Sequence, residues 1–297
     1  MALREAVELL AYHRRWTERF AWHDVHNVYA KCRADLARAG LRELSGRRVL
    51  DLGCGPVFAF ALQCVADGAS VTALDAAYVK PEPLPVALAR TLRRGGPKQA
   101  LKTAARRMLF SRRYYGTLER EAGRPLRRFS RELRFVVADA QAGTYPLPDA
   151  SFDLIASNAV LEHVADVRDF AREVARLLAP GGLFHAIVHN FYSLSGGHCP
   201  DWAYPDEKPS RRVAPWDHLR ENRSPPFAYL NRMRPEEYRD ALGAALDVEV
   251  FEGRDVNHDP PGTEGERFLT PEIASELSAY PRELLLTRSW CVVARKR

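Results

Sequence analysis

The chain has 297 residues, 46% of them hydrophobic, and its 44 Lys and Arg against 38 Asp and Glu give a net charge of +6. That length holds one large α/β domain with insertions, or two small ones. No run approaches about 18 consecutive apolar residues, the length a spanning helix needs, and the acid-bearing start Met1-Ala-Leu-Arg-Glu-Ala-Val-Glu does not read as a signal peptide. Five scattered cysteines (Cys32, Cys54, Cys64, Cys199, Cys291) without a Cys-x-x-Cys pair support neither a disulfide framework nor a zinc site. They fit a reducing compartment, so a cytoplasmic location is expected.

Residues 3–40 read as helix, with Tyr12, Trp16, Phe20, Trp22 and Tyr29 interleaved with His13, His23 and His26. Residues 1–44 are therefore expected to form an N-terminal helical segment or lid, ahead of a domain over 45–297. Ser45-Gly46 breaks the chain before a strand at 48–52, a helix near 57–67 and a strand at 70–74. Residues 76–133 then form an insertion, with helical spacing over 84–93 and 98–109 broken at Gly95-Gly96-Pro97. The stretch 90–134 carries 15 Arg or Lys against 3 Glu.

Strands follow at 134–138 and 152–157. A helix over about 166–178 opens on Asp166 as N-cap and places Phe170, Val174, Leu177 and Leu178 on one face. A strand at 183–188 leads into 189–233, rich in Pro, aromatics and His. So long a loop is functional or disordered, and its aromatics oppose disorder. Pro235 opens a helix over 235–245. Val248–Phe251 and Ser289–Ala294 read as the last two strands, with Thr270-Pro271 capping a short helix between them.

The first strand ends Val49-Leu-Asp51-Leu-Gly53-Cys54-Gly55-Pro56, and the second ends in Asp75. Two glycines let the main chain turn sharply and let a ligand lie against it. An acid about 20 positions on, at the tip of the next strand, can accept from ribose hydroxyls. The same residues also serve in an ordinary tight turn, with Asp75 as a helix cap.

Val49–Pro56 resembles the first motif of the class I S-adenosylmethionine-dependent methyltransferases, in particular the type 11-like bacterial enzymes. Arg134-Phe-Val-Val-Ala-Asp139-Ala140, Leu147-Pro-Asp149-Ala-Ser151-Phe-Asp153 through Asn158 to Glu162-His163, and Leu177-Leu-Ala-Pro180-Gly181-Gly182 resemble its later motifs in order. The resemblance covers roughly 45–80 and 132–190. It implies a Rossmann-like, seven-stranded, mostly parallel α/β sheet with helices on both faces, the seventh strand antiparallel, and S-adenosyl-L-methionine as cofactor. The cofactor residues it implies are Asp51, Gly53, Cys54, Gly55, Asp75 with Ala76, Asp139 with Ala140, and Asn158. One departure is Val57, which stands where the family often has a third glycine, so the next helix is expected to start differently.

Methylating a hydroxyl requires loss of its proton, and an imidazole suits that task. His189 ends the fifth strand and is the first candidate base, with His198 and His163 beside it. His218 is a further candidate, as are His23 and His26 if the N-terminal helix closes over the site. The resemblance also implies that Glu162-His163 recurs in relatives with different substrates, so His163 reads equally as structural or merely cofactor-adjacent. No metal is expected, because Asp201, Asp206, Glu207 and Asp217 match no ligand spacing.

The basic insertion reads as a solvated face, as a holder of an anionic acceptor, or as a nucleic-acid surface. The expected activity is methyl transfer to a small-molecule acceptor of specialised metabolism or glycan modification. RNA or tRNA methylation through 90–134, and cofactor binding without catalysis, stand as alternatives. A nucleic-acid partner and a membrane span are not expected.

Overall fold

Val49, Leu50 and Leu52 are buried without break along strand β1 (Arg48–Leu52), as a strand covered on both faces requires. β1 pairs in parallel with β2 (Ser70–Asp75), and β2 with β3 (Arg134–Val137). In this computed structural model, which describes residues 16–77, 84–205, 207–226, 228–255 and 262–297, seven strands form one mostly parallel sheet. Its order is β3-β2-β1-β4-β5-β7-β6, with β4 at Phe152–Asn158, β5 at Leu178–His189, β6 at Leu246–Arg254 and β7 at Ser289–Lys296. β7 runs antiparallel to both β5 and β6, as expected. The chain divides into two compact units, Met1–Ala156 and Ser157–Arg297.

In the first unit, helix α1 covers 16–38 and includes a π-helical stretch at Asp24–Tyr29. The Tyr12 and His13 of the expected helix lie outside the described residues. Tyr29 stacks edge-on against Phe60 at 5.6 Å between ring centroids, and its hydroxyl donates to Asp67. α1 therefore packs on α2 (Ala59–Ala66). The insertion is helical: α3 (Leu84–Leu109), interrupted where Gly96 takes φ 73° ahead of Pro97, and α4 (Ser111–Ala122). Sequence spacing located the break but not α4 as a separate helix.

Helix α2 starts at Ala59, not near 57. Phe58 occupies the left-handed region (φ 55°) at its N-cap and packs edge-to-face on Phe135 at 5.9 Å. With Val57 in place of the third glycine, Phe58 takes the unusual backbone conformation, and its burial against Phe135 offsets the strain.

In the second unit, α5 (Val167–Leu177) is capped by the Asp166 carboxylate, which accepts from the Asp169 N–H at 2.9 Å. Its Val167, Phe170, Ala171, Val174 and Leu177 are buried. α6 (Pro235–Gly243) starts on Pro235, and α7 (Pro271–Glu276) is capped by Thr270, both as expected. α8 (Arg282–Leu286), with Leu284, Leu285 and Leu286 buried, was not foreseen.

The 190–233 segment is not a loose loop. Leu194, Trp202 and Trp216 are buried together with Leu277, Leu285 and Leu286, forming a core of their own. Asp206 and Phe227 of that segment lie outside the described residues.

Candidate functional site

The turn after β1 is tied to the end of β2 by main-chain hydrogen bonds. Gly53 and Cys54 N–H both donate to the Leu74 carbonyl, at 2.8 and 3.1 Å. The Asp75 carboxylate accepts from Gly55 N–H at 3.0 Å and from Ala77 N–H at 2.8 Å. Gly53 and Gly55 take φ of 80° and 61°, where a side chain would be strained. A Cβ on Gly55 would meet nothing within 4 Å among the described residues.

Asp51 is 6% exposed, and its Oδ2 has no hydrogen-bond partner among the described residues. Burial, opposed by the Ala61 N–H and reinforced by the Asp75 charge, pushes its pKa up to about 7. A buried carboxylate oxygen without a partner is costly, and a cationic ligand group would satisfy it.

Asp139 lies two residues beyond β3, where its carboxylate accepts from Gln141 N–H at 3.0 Å. The Ala140 carbonyl next to it accepts from the Tyr145 hydroxyl at 2.9 Å. Ala76 follows Asp75 directly. Thus eight of the nine expected cofactor residues gather at the carboxyl ends of β1, β2 and β3 in the first unit. That is the edge of a parallel sheet where ligands bind. The ninth, Asn158, is the last residue of β4.

His23 and His26 belong to the first unit. His26 Nε2 lies 3.1 Å from the Glu121 carboxylate of α4, and His23 lies 3.8 Å from Asp24.

The second unit brings His163, His189 and His198 together. The His189 and His198 rings stack at 4.7 Å between centroids, and His163 meets His198 edge-on at 5.1 Å. His189 Nδ1 and His198 Nε2 are 2.8 Å apart. His189 Nε2 lies 2.9 Å from Ser195 Oγ, and that hydroxyl donates to Glu264 at 3.0 Å. Because the Ser195 proton points at the carboxylate, His189 carries its hydrogen on Nε2. Arg288 closes the chain with an ion pair to Glu264.

Burial, the charge of His198 and that of Arg288 hold the His189 pKa well below its usual value. Burial and His163 lower that of His198 to about 4. Both rings are therefore neutral near pH 7. Glu162, 2% exposed, is pushed up to about 8 by burial, partly offset by its own N–H and that of His189.

His163 Nδ1 lies 2.8 Å from the Tyr229 carbonyl, so Nδ1 is the donor and Nε2 keeps its lone pair. His218 Nε2 donates to the Phe191 carbonyl at 2.8 Å. Asn190 is scaffold: its amide donates to the Leu284 and Thr287 carbonyls at 2.7 Å each.

A tight turn presents Ser195 and His198 to His189. A Cβ on Gly196 would lie 2.1 Å from the Phe191 carbonyl oxygen, and one on Gly197 would lie 2.6 Å from the His218 ring. His198 itself takes φ 54°. The histidines stand out in the sequence, whereas Ser195, Glu264 and Arg288 do not. The Ser195-Gly-Gly-His198 run was the one local signal.

The profile of the methyltransferase domain matches residues 22–242. The chain belongs to that family, the class I S-adenosylmethionine-dependent methyltransferases, and S-adenosylmethionine is its cofactor. An uncharacterised methyltransferase of Mycobacterium tuberculosis is 31% identical over 104 residues, covering 34% of this chain and 51% of that protein. A ubiquinone biosynthesis O-methyltransferase of Paracidovorax citrulli is 33% identical over 144 residues, covering 48% of this chain and 44% of that protein. The chain thus spans about half the length of the curated relatives it matches. A solved S-adenosylmethionine-dependent methyltransferase from Mesorhizobium loti superposes with a TM-score of 0.46 at 22% identity, over 89% of this chain and 97% of that one. No described helix is long and apolar enough to cross a membrane.

Proposed function

We propose that this protein transfers a methyl group from S-adenosylmethionine to a hydroxyl of a small-molecule acceptor in the cytoplasm. The observation that carries the reading is the histidine cluster at the carboxyl end of β5, set in a segment with its own aromatic core. When bound, the cofactor supplies a methyl made electrophilic by its sulfonium. Asp51, the Gly53–Gly55 turn, Asp75 and Asp139 would hold it, with the unpartnered Asp51 Oδ2 accepting from its ammonium group.

The residues of this chain then have two tasks, alignment and proton removal. His189 has both ring nitrogens engaged, which disfavours it as the base. His163, its Nδ1–H fixed by the Tyr229 carbonyl, keeps the Nε2 lone pair, which meets no hydrogen-bond partner among the described residues. We assign it the acceptor's proton. The similarity to a protein named as an O-methyltransferase supports a hydroxyl acceptor.

The basic insertion gives less support to RNA or to an anionic acceptor. Arg113, Arg120, Arg124 and Arg127 pair with Glu18, Glu121, Asp67 and Glu119. The test is transfer of labelled methyl to a panel of phenolic and glycosidic hydroxyls, with bulk tRNA as the competing acceptor. His163→Gln should lower kcat by about 10²–10⁴-fold and leave S-adenosylhomocysteine binding intact. Selective labelling of tRNA would replace the small-molecule reading, and cofactor binding without transfer to any acceptor would favour a non-catalytic role.

A further inference from the structure

We infer that Glu162, His189 and His198 form a binding site for a divalent first-row transition-metal ion. One ligand atom from each lies within 4.8 Å of the others. Two imidazole nitrogens and one carboxylate favour such ions over magnesium or calcium, which prefer oxygen.

Four observations converge on this assignment. The first is spacing. With metal–nitrogen bonds of about 2.0–2.1 Å, two ligands stand ~2.9 Å apart at right angles and ~3.3 Å apart in a tetrahedron, and His189 Nδ1 and His198 Nε2, 2.8 Å apart, match the first and need to part by about half an ångström for the second. Right-angled ligands on one face leave the opposite positions open to an exogenous ligand.

The second is orientation. Metal-bound histidines use one ring nitrogen and give the other N–H to a fixed acceptor. His189 does so: Nε2–H donates to Ser195, which donates to Glu264, which is held by Arg288. The Nδ1 lone pair is thereby turned toward His198.

The third is Glu162. The side chain is buried, and no donor among the described residues reaches either carboxylate oxygen within full hydrogen-bond geometry, the main-chain N–H groups of Glu162 and His189 offsetting its burial only in part. The rival explanation, a plain hydrogen bond between two neutral histidines, accounts for the 2.8 Å distance but leaves that carboxylate buried and unsatisfied. A cation between the three groups resolves both.

The fourth is strain. His198 sits in the left-handed region (φ 54°), on a turn whose two glycines admit no side chain. Backbone strain of this kind clusters at ligand clamps. His189 and His198 are only partly buried, which leaves an approach for the ion.

The site shares the histidine cluster of the proposed transfer reaction, His198 lying against His163, but metal binding can be read with neither cofactor nor acceptor present. The full chain, stripped with EDTA and dialysed, is titrated calorimetrically with Zn²⁺ and separately with Mg²⁺. Zn²⁺ should bind at one equivalent and raise the melting temperature, and Mg²⁺ should give no heat. Co²⁺ should give a visible d–d band without the near-ultraviolet charge-transfer absorption of a thiolate ligand.

Glu162→Gln and His198→Ala should each weaken Zn²⁺ binding at least 100-fold. Ser195→Ala, which only orients His189, should weaken it about tenfold, in keeping with the cost of losing such supporting groups. His218→Ala should leave it unchanged. If a ligand variant fails to fold, the wild-type stoichiometry and the Co²⁺ spectrum still decide. No stoichiometric Zn²⁺ binding by the wild type, a thiolate band with Co²⁺, or full affinity in folded Glu162→Gln or His198→Ala protein would each overturn the assignment. Failure of the His163 assignment would leave these results unaffected.

Discussion

The Tyr115 hydroxyl of α4 donates to the Val57 carbonyl over 2.8 Å. The helical insertion is therefore a prop for the turn that follows Gly53 and Gly55, whatever else its arginines do. Arg127 adds to the brace, its guanidinium 5.9 Å from the Tyr115 ring centre while it pairs with Glu119. Tyr115→Phe removes the hydrogen bond and little else. It should weaken S-adenosylhomocysteine binding about fivefold, the worth of one hydrogen bond of about 1 kcal/mol, with an unchanged circular dichroism spectrum. Unaltered affinity would mean that the turn holds its shape without the prop.

Asp75 binds two main-chain N–H groups of its own chain, those of Gly55 and Ala77. Asp75→Ala should therefore do more than delete a ribose acceptor: it frees the glycine turn. Calorimetry should show S-adenosylhomocysteine affinity lowered by about 1–3 kcal/mol and NAD not binding at all. Wild-type affinity in the variant would remove Asp75 from the cofactor site.

Two glycine substitutions should act in opposite directions. Gly196→Ala places a Cβ 2.1 Å from a main-chain oxygen, a clash that only movement of the 190–198 turn can relieve. The variant should lose several degrees of Tm, corresponding to about 1–3 kcal/mol or more. Gly116, inside α4, has nothing within 4 Å of a Cβ among the described residues and ordinary φ. Gly116→Ala should stabilise by about 0.5–1 kcal/mol. Thermal melts of the two side by side test whether the 190–198 turn is as tightly packed as its geometry implies.

These relationships mark where the sequence was readable. Strand β1, the glycine turn and the acid at the tip of β2 are local features, and alternation of apolar runs with glycine exposes them directly. Asp166, Pro235 and Thr270-Pro271 announced their helices because capping is local chemistry. The start of α2 was not legible, because Phe58 holds its left-handed conformation through Phe135, far along the chain. The Ser195–Glu264 contact joins residues 69 positions apart, and no spacing rule reports such a pair. The histidines at 163, 189 and 198 were identifiable one at a time. That His189 and His198 face each other with Glu162 beside them depends on a turn that only close packing around Gly196 and Gly197 defines.

Asp51 should tie both stability and cofactor affinity to pH. Burial raises its folded-state pKa to about 7, above the unfolded value of about 3.9. Between those values the folded state holds a proton that the unfolded state has released. This group's contribution to stability is therefore full below about pH 4 and is lost as the pH rises through about 7. Cofactor binding should have the opposite dependence. A cationic ammonium group meets its acceptor only when Asp51 is ionised, so affinity should rise with pH through 7 and binding should release a proton there. Asp51→Asn removes the titrating group. It should flatten the pH dependence of S-adenosylmethionine affinity between pH 6 and about 8 and weaken binding above pH 7 by about tenfold, while raising stability at the alkaline end. Calorimetry in buffers of different ionisation enthalpy counts the proton directly. No proton released by the wild type near pH 7, or the same pH dependence in Asp51→Asn, would assign the cofactor's ammonium to another partner.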